Sequence, residues 1–256
     1  MKLPVSRTTL ARTALAALGA GALVLVACGG DDNGGGGDKI TLDPAKADAL
    51  AHAAILSDKD LPGKGWEVTK TDEFSDDEEI GDTAPCNNIE AKLNKQKAAN
   101  NAGRAGRAEK EYTRPNGQAD LDTSVEVEVN VFKDTKTPAQ AFNAFKDALK
   151  SGDFGKCLED LFKEGAGGPD AQGVTITVKE GKPRTAAPAG GAAQAYDFAI
   201  AVPGFKADMH YESYLWRYGN VGTTVTISGP AAALPPELAK AALDRTVALL
   251  EAAGKK

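Results

Sequence analysis

Val125-Glu126-Val127-Glu128-Val129-Asn130-Val131 is the stretch on which the fold of this chain turns. Valine at every second position, with polar residues between, has the period of a strand with one face in a core. The same period returns downstream. Val174, Ile176 and Val178 alternate with threonines, and Tyr196, Phe198, Ile200 and Val202 alternate with small or acidic residues. Residues 208–228 form a hairpin about Gly219-Asn220, a favourable two-residue turn. Its register sets Tyr218 opposite Val221, Trp216 opposite Thr223 and Tyr214 opposite Val225, all on the core face. Tyr211, Leu215 and Arg217 fall on the other face, where a ligand-facing surface is expected.

Helices flank these strands. Asp43 caps the first helix and Pro44 takes its first position, where a missing N–H costs nothing; Leu50, Ala53, Ala54 and Ile55 supply its apolar stripe. A turn at Leu61-Pro62-Gly63-Lys64-Gly65-Trp66 leads into a short strand from Glu67 to Thr71. A helix starts at Asn87 or Asn88 and runs through Ile89 and Leu93, and the polar residues 94–107 read as a connection. Thr137-Pro138 opens a helix with Phe142, Phe145 and Leu149 on one face, and Gly152 separates it from another carrying Phe154, Cys157, Leu158, Leu161 and Phe162. Pro235-Pro236-Glu237 starts the last helix, with Leu243, Val247 and Leu250 inward. The order is helix, strand, helix, two strands, a helical pair, four or more strands and a helix. Hairpin connections then predict an α+β class: an antiparallel sheet packed by helices on one side, one domain over residues 39–256, with one disulfide.

The N-terminus predicts where the domain works. Lys2, Arg7 and Arg12 precede an uncharged run from Thr13 to Ala27, which ends Leu25-Val26-Ala27-Cys28. Fifteen uncharged residues fall short of the roughly 20 that cross a bilayer. The layout is that of a secretory signal over 1–27 with a lipobox cysteine at the cut, so Cys28 is the expected lipidation site. Residues 28–38 become a lipidated cysteine and a flexible Gly/Asp tether. The expected location is the extracytoplasmic side of the cell membrane, held by acyl chains on Cys28, with the membrane as one partner.

Cleavage would take the formal charge from −6 to −9 by removing three basic residues. Such an acidic chain does not suit nucleic acid, which attracts Lys/Arg clusters. Assigning Cys28 to lipid leaves Cys86 and Cys157 as an even pair in an oxidising compartment, where a disulfide is the default and two free thiols the alternative. Closing a loop of this length contributes roughly 4 kcal/mol in the chain-entropy model.

Little in the chain suggests catalysis. His52 reads as a helix-surface residue, and His210 stands near Asp208 and Glu212 without a nucleophile turn or a metal-binding helix motif. Phosphate-loop spacing is absent, and no cofactor and no metal site are expected. The acidic run 72–82 carries seven carboxylates in eleven residues and reads as a solvated loop before it reads as a calcium site. Trp66 and Trp216 read as core before pocket.

Ala54-Ile55-Leu56 leading to Asp60-Leu61-Pro62 and Gly65-Trp66, followed by Cys86 ahead of a helix, form a familiar series. With the strand-plus-helix unit Val129 to Leu149, the segment Asp153-Phe154 to Cys157-Leu158, and the closing strands and helix, the chain resembles actinobacterial lipoproteins and receptors that carry the extracellular sensor domain of mycobacterial serine/threonine kinases. The resemblance implies an antiparallel sheet flanked by helices, a cleft for an extracellular ligand and no enzymatic activity. Kinase-borne members typically carry two disulfides, whereas Cys86 and Cys157 allow one. The expected function is a non-catalytic, sensor-like ligand-binding domain with an unidentified extracellular ligand or envelope protein as partner. A lipid or envelope-component carrier is the alternative, and an envelope hydrolase is a third class.

Overall fold

The computed structural model describes residues 43–72, 83–116, 121–165, 175–202 and 205–253. The signal segment, Cys28, the tether and the acidic residues 73–82 lie outside the described residues. Helix α1 (Pro44–Ala53) begins the described chain, followed by a 3-10 turn at Asp58–Asp60 and strand β1 (Glu67–Thr71). Then come α2 (Ala84–Gly103), β2 (Arg104–Arg114), β3 (Thr123–Phe132), α3 (Lys136–Lys150) and α4 (Asp153–Gly165). Strands β4 (Thr175–Glu180), β5 (Ala192–Val202), β6 (Phe205–Tyr218) and β7 (Val221–Pro230) precede α5 (Leu238–Ala253). The seven strands form one sheet in the order β1-β2-β3-β7-β6-β5-β4, with every neighbouring pair antiparallel.

The hairpin register is the one its turn dictates: Tyr218 opposes Val221, Trp216 opposes Thr223 and Tyr214 opposes Val225. Asp43 caps α1, its carboxylate accepting from the Ala45 N–H at 3.0 Å. The expected α+β domain with one disulfide therefore forms, and its details differ in two places.

Residues 94–107, expected as a connection, are the second half of α2 and the start of β2. The period of β2 is hard to see because its core face carries Gly106, Ala108 and Tyr112 rather than branched residues. Small residues are needed there because α1 lies almost on the strand. A Cβ at Gly106 would stand 2.4 Å from the Ala47 carbonyl carbon, well inside contact distance. Ala47 and Ala51 complete the close approach from the helix side and are fully buried.

The helices, expected on one side, divide between the two faces. On the face of Val125, Val127, Val129 and Val131, helices α1 and α5 enclose a core with Tyr112, Tyr214, Trp216 and Ile227. On the opposite face, α2, α3 and α4 pack against one another and over the β4–β6 end. Phe142, Phe145, Phe154 and Leu158 meet Tyr196, Phe198, Met209, Tyr211 and Leu215 there. The cause lies in alternation itself: β5 and β6 carry large apolar residues on the face opposite the valines, and that surface needs its own cover. Cys86 and Cys157 are bonded, with S–S 2.10 Å, and join α2 to α4 within this second layer.

The seat of α1 can be tested. Gly106→Ala is expected to lower stability by about 2–3 kcal/mol through overpacking, read as a fall in the urea midpoint at unchanged slope. A loss below about 0.5 kcal/mol, within the range of ordinary surface substitutions, would contradict the close approach.

Candidate functional site

The valines of β3 point one way, so Glu126, Glu128 and Asn130 must point the other. Antiparallel pairing sets Glu111 beside Glu126, Glu109 beside Glu128 and Arg107 beside Asn130. From β7, Thr226 and Thr224 lie across from Glu126 and Glu128. Half-buried strands usually give such residues to water. Here Arg107, Glu109, Glu126, Glu128 and Asn130 are all at most 7% exposed. A strip of ionisable side chains is shut inside the protein.

Its members hold one another. Arg107 donates to Glu128 Oε1 from Nε at 2.8 Å and lies within 2.7 Å of it through Nη2. The Asn130 amide donates to the same oxygen at 2.9 Å. Lys70, reaching over from the edge strand β1, places Nζ 2.5 Å from Glu109 Oε1 and 3.7 Å from Glu126 Oε1. Ser124 Oγ donates to Glu111 Oε1 at 2.7 Å.

Three buried carboxyls thus share two cations. Burial raises the pKa of Glu126 well above the usual carboxylate range, and the hydrogen bond and charge of Glu109 push it further. Lys70 opposes the shift without cancelling it. Glu126 consequently holds a proton where exposed glutamates have lost theirs. Tyr211, buried close by, is pushed up to about 12 by desolvation and by the charge of Glu126. Buried ion pairs of this kind roughly break even in stability against apolar packing. Ionisable groups kept inside at no net gain in stability are candidates for function.

A second polar group lies on the valine face. His210 Nδ1 stands 2.6 Å from Asp197 Oδ1, and Nε2 stands 3.4 Å from Glu212 Oε2. Glu212 Oε2 also accepts from Tyr214 OH and from the Arg184 backbone N–H, both at 2.8 Å. Burial works against the imidazolium, but Glu212 and Asp197 outweigh it and hold the His210 pKa above its ordinary value. Burial likewise works against the Glu212 carboxylate, and His210, the Arg184 N–H and Tyr214 outweigh it, so its pKa is lowered. With both ring nitrogens on carboxylates, His210 has no nucleophile to activate. The group instead fastens the loop 183–191. The Arg184 guanidinium bonds the carbonyls of Leu234 and Ala231 at 2.7 and 3.1 Å, tying the loop to the approach of α5. Between loop and helix runs an open groove of about 510 Å³, walled by Ala187, Pro188, Leu243 and Val247.

The residues singled out from sequence are scattered. Tyr211 and Leu215 are buried under the second helical layer, and Arg217 is half-buried with Nη1 donating to the Thr135 carbonyl at 3.1 Å. The three share a face, as the register requires, but Tyr211 and Leu215 do not face outward. Of the two carboxylates near His210 in sequence, Glu212 contacts it, and its second partner is Asp197 on the neighbouring strand rather than Asp208. His52 is exposed and bonds Asp72 Oδ2 at 3.1 Å. Trp66 and Trp216 are core residues, Trp66 donating to the Pro62 carbonyl at 3.0 Å. Among the described residues no group of three or more His, Cys, Asp or Glu side chains is arranged to hold a metal ion. The buried strip went unread, although Arg107, Glu109 and Glu111 alternating with Ala108 and Tyr112 carried its signal.

No family model matches the chain, and no curated protein matches it. Among solved structures it is loosely similar to the extracellular domain of PknH from Mycobacterium tuberculosis, at a TM-score of 0.40 and 12% identity, covering 82% of this chain and 97% of that one.

The proton on Glu126 makes stability depend on pH with a definite sign. A folded pKa raised above the unfolded value means that the folded state binds more protons, so stability falls as pH climbs from about 4.5 through the raised value. Glu126→Gln, which cannot ionise, is expected to flatten that decline and to unfold at higher urea than the unsubstituted protein at pH 8. Parallel pH profiles for the two proteins would place the proton elsewhere.

Proposed function

We propose that this chain is a lipoprotein of the extracytoplasmic face of the cell membrane, anchored through Cys28, whose domain is a non-catalytic, sensor-like ligand-binding module. The observation that carries the anchoring is Leu25-Val26-Ala27-Cys28 at the end of an uncharged run, with a basic start before it and a Gly/Asp tether after it. The disulfide between Cys86 and Cys157 supports an oxidising compartment, because such bonds are rare where thiols are kept reduced. Cysteine usage and targeting signal thus point to the same side of the membrane.

The binding reading rests on the buried strip. A fold that needs only stability gains little from ion pairs it must desolvate. A domain that recognises a polar ligand gains prearranged charge, held on a rigid sheet. The non-catalytic reading rests on His210, whose two nitrogens are occupied by Asp197 and Glu212. The short motifs shared with extracellular sensor domains support the same function.

Cys28→Ser should move the protein from the membrane fraction to the soluble one and remove the acyl mass from its N-terminal peptide. Membrane retention of the variant at the level of the unsubstituted protein would overturn the anchor.

A further inference from the structure

The ring of His210 is 7% exposed and stands between two carboxylates, Asp197 of β5 and Glu212 of its own strand. A neutral imidazole has one N–H and one lone pair, so it can donate to only one of them. The doubly protonated ring serves both. From Glu212 the contacts lead on to the loop 183–191. Its Oε2, the oxygen facing His210, also accepts from the Arg184 N–H, and the Thr185 N–H donates to Tyr214 OH at 3.4 Å. That loop matters because Thr185, Ala187 and Pro188 form one wall of the groove whose other wall is α5, with Leu243 and Val247. Its far end is held by packing: a Cβ on Gly191 would stand 2.6 Å from the Leu215 carbonyl oxygen. The near end, at Arg184 and Thr185, is held to the sheet through Glu212 and Tyr214.

We propose that the proton on His210 latches the backbone of this loop to the sheet, so that the groove beside α5 keeps a fixed wall at acidic pH and a loosened one after the ring deprotonates. When the proton leaves, the remaining N–H stays with Asp197, the closer partner at 2.6 Å, and a lone pair turns toward Glu212. Glu212 is fully buried, and its Oε1 has no partner among the described residues. Deprived of its cation, such a carboxylate takes up a proton or draws in water, and either weakens its hold on the Arg184 N–H. The bonds from the Arg184 guanidinium to Leu234 and Ala231 do not titrate, so the loop loosens at 184–185 and stays tethered. The proton has a way out, because the Asp197 side chain is 57% exposed. The charged and titratable groups around the ring are Asp197 of β5, with Lys179 of β4 opposite it; Asp208, Glu212 and Tyr214 of β6; and Arg184 of the loop. Strand β7 sets Gly229 opposite His210 and adds no charge. Burial disfavours the imidazolium and the two carboxylates outweigh it, so the folded ring keeps its proton above the ordinary 6.5. The latch is therefore whole below about 6.5 and fails as pH rises through the raised value. Glu212 shifts the other way, and its share is lost only as pH falls through a value below 4.5.

The test is amide hydrogen exchange of the full chain in detergent, read by mass over peptides covering 183–191 across pH 5.5 to 9, with labelling times scaled to the intrinsic rate at each pH. Protection of the Arg184 and Thr185 amides is expected to fall tenfold or more over that range, while peptides of β6 and β7 hold theirs. His210→Gln, neutral at every pH, should remove the step. His52→Gln, at the other histidine of the chain, should keep it. Asp197→Asn removes one carboxylate at an exposed position and should move the midpoint to lower pH, which decides the matter even where His210→Gln does not fold. Equal protection at both ends of the range in the unsubstituted protein would overturn the inference. So would a step that survives in His210→Gln, one lost in His52→Gln, or a midpoint unmoved by Asp197→Asn.

Discussion

Everything in this domain depends on β3 being covered on both faces with different chemistry. On one face its four valines meet α1 through a strand kept thin by Gly106 and Ala108. On the other, its glutamates and asparagine are closed in with Lys70 and Arg107. A strand of strict alternation can serve two interiors at once, because a residue's position decides which one it enters. The sheet then acts as a partition, with an apolar core on one side and a wired polar layer beside an apolar helical cap on the other.

Much of this was legible in the sequence. The Gly219-Asn220 turn fixed the hairpin register, and the register fixed which aromatics share a face. Capping at Asp43 and the phenylalanine spacing of α3 were local signals that tertiary packing left in place. The pairing of Cys86 with Cys157 followed from counting. Strand β2 was obscured because its core face is built of glycine and alanine, chosen for the closeness of α1, and no local signal records how near another element will come. The buried strip was obscured for a related reason. Alternating glutamates look the same whether their face meets water or a second layer, and the cover comes from elsewhere in the chain.

The two polar groups differ in character. The His210 group is local: it fastens the loop 183–191 to the sheet and, through Arg184, to the approach of α5. Its histidine and glutamate shift in opposite directions, each stabilising the other's charge. The β2–β3 strip instead gathers carboxyls about Lys70 and Arg107, and burial beside Glu109 raises the pKa of Glu126. One arrangement ties a loop to the sheet; the other joins the edge strand β1 to β2 and β3 through Lys70 and Arg107.

The bond between Cys86 and Cys157 also makes part of this chain a covalent ring. Most of α2, all of β2, β3 and α3, and the first turn of α4 lie within it. A protease that cuts once at any bond between those two cysteines would leave a single molecule, with both fragments still joined and the sheet still paired on either side of the cut. A nick there would not separate the part of the chain before Cys86 from the part after Cys157.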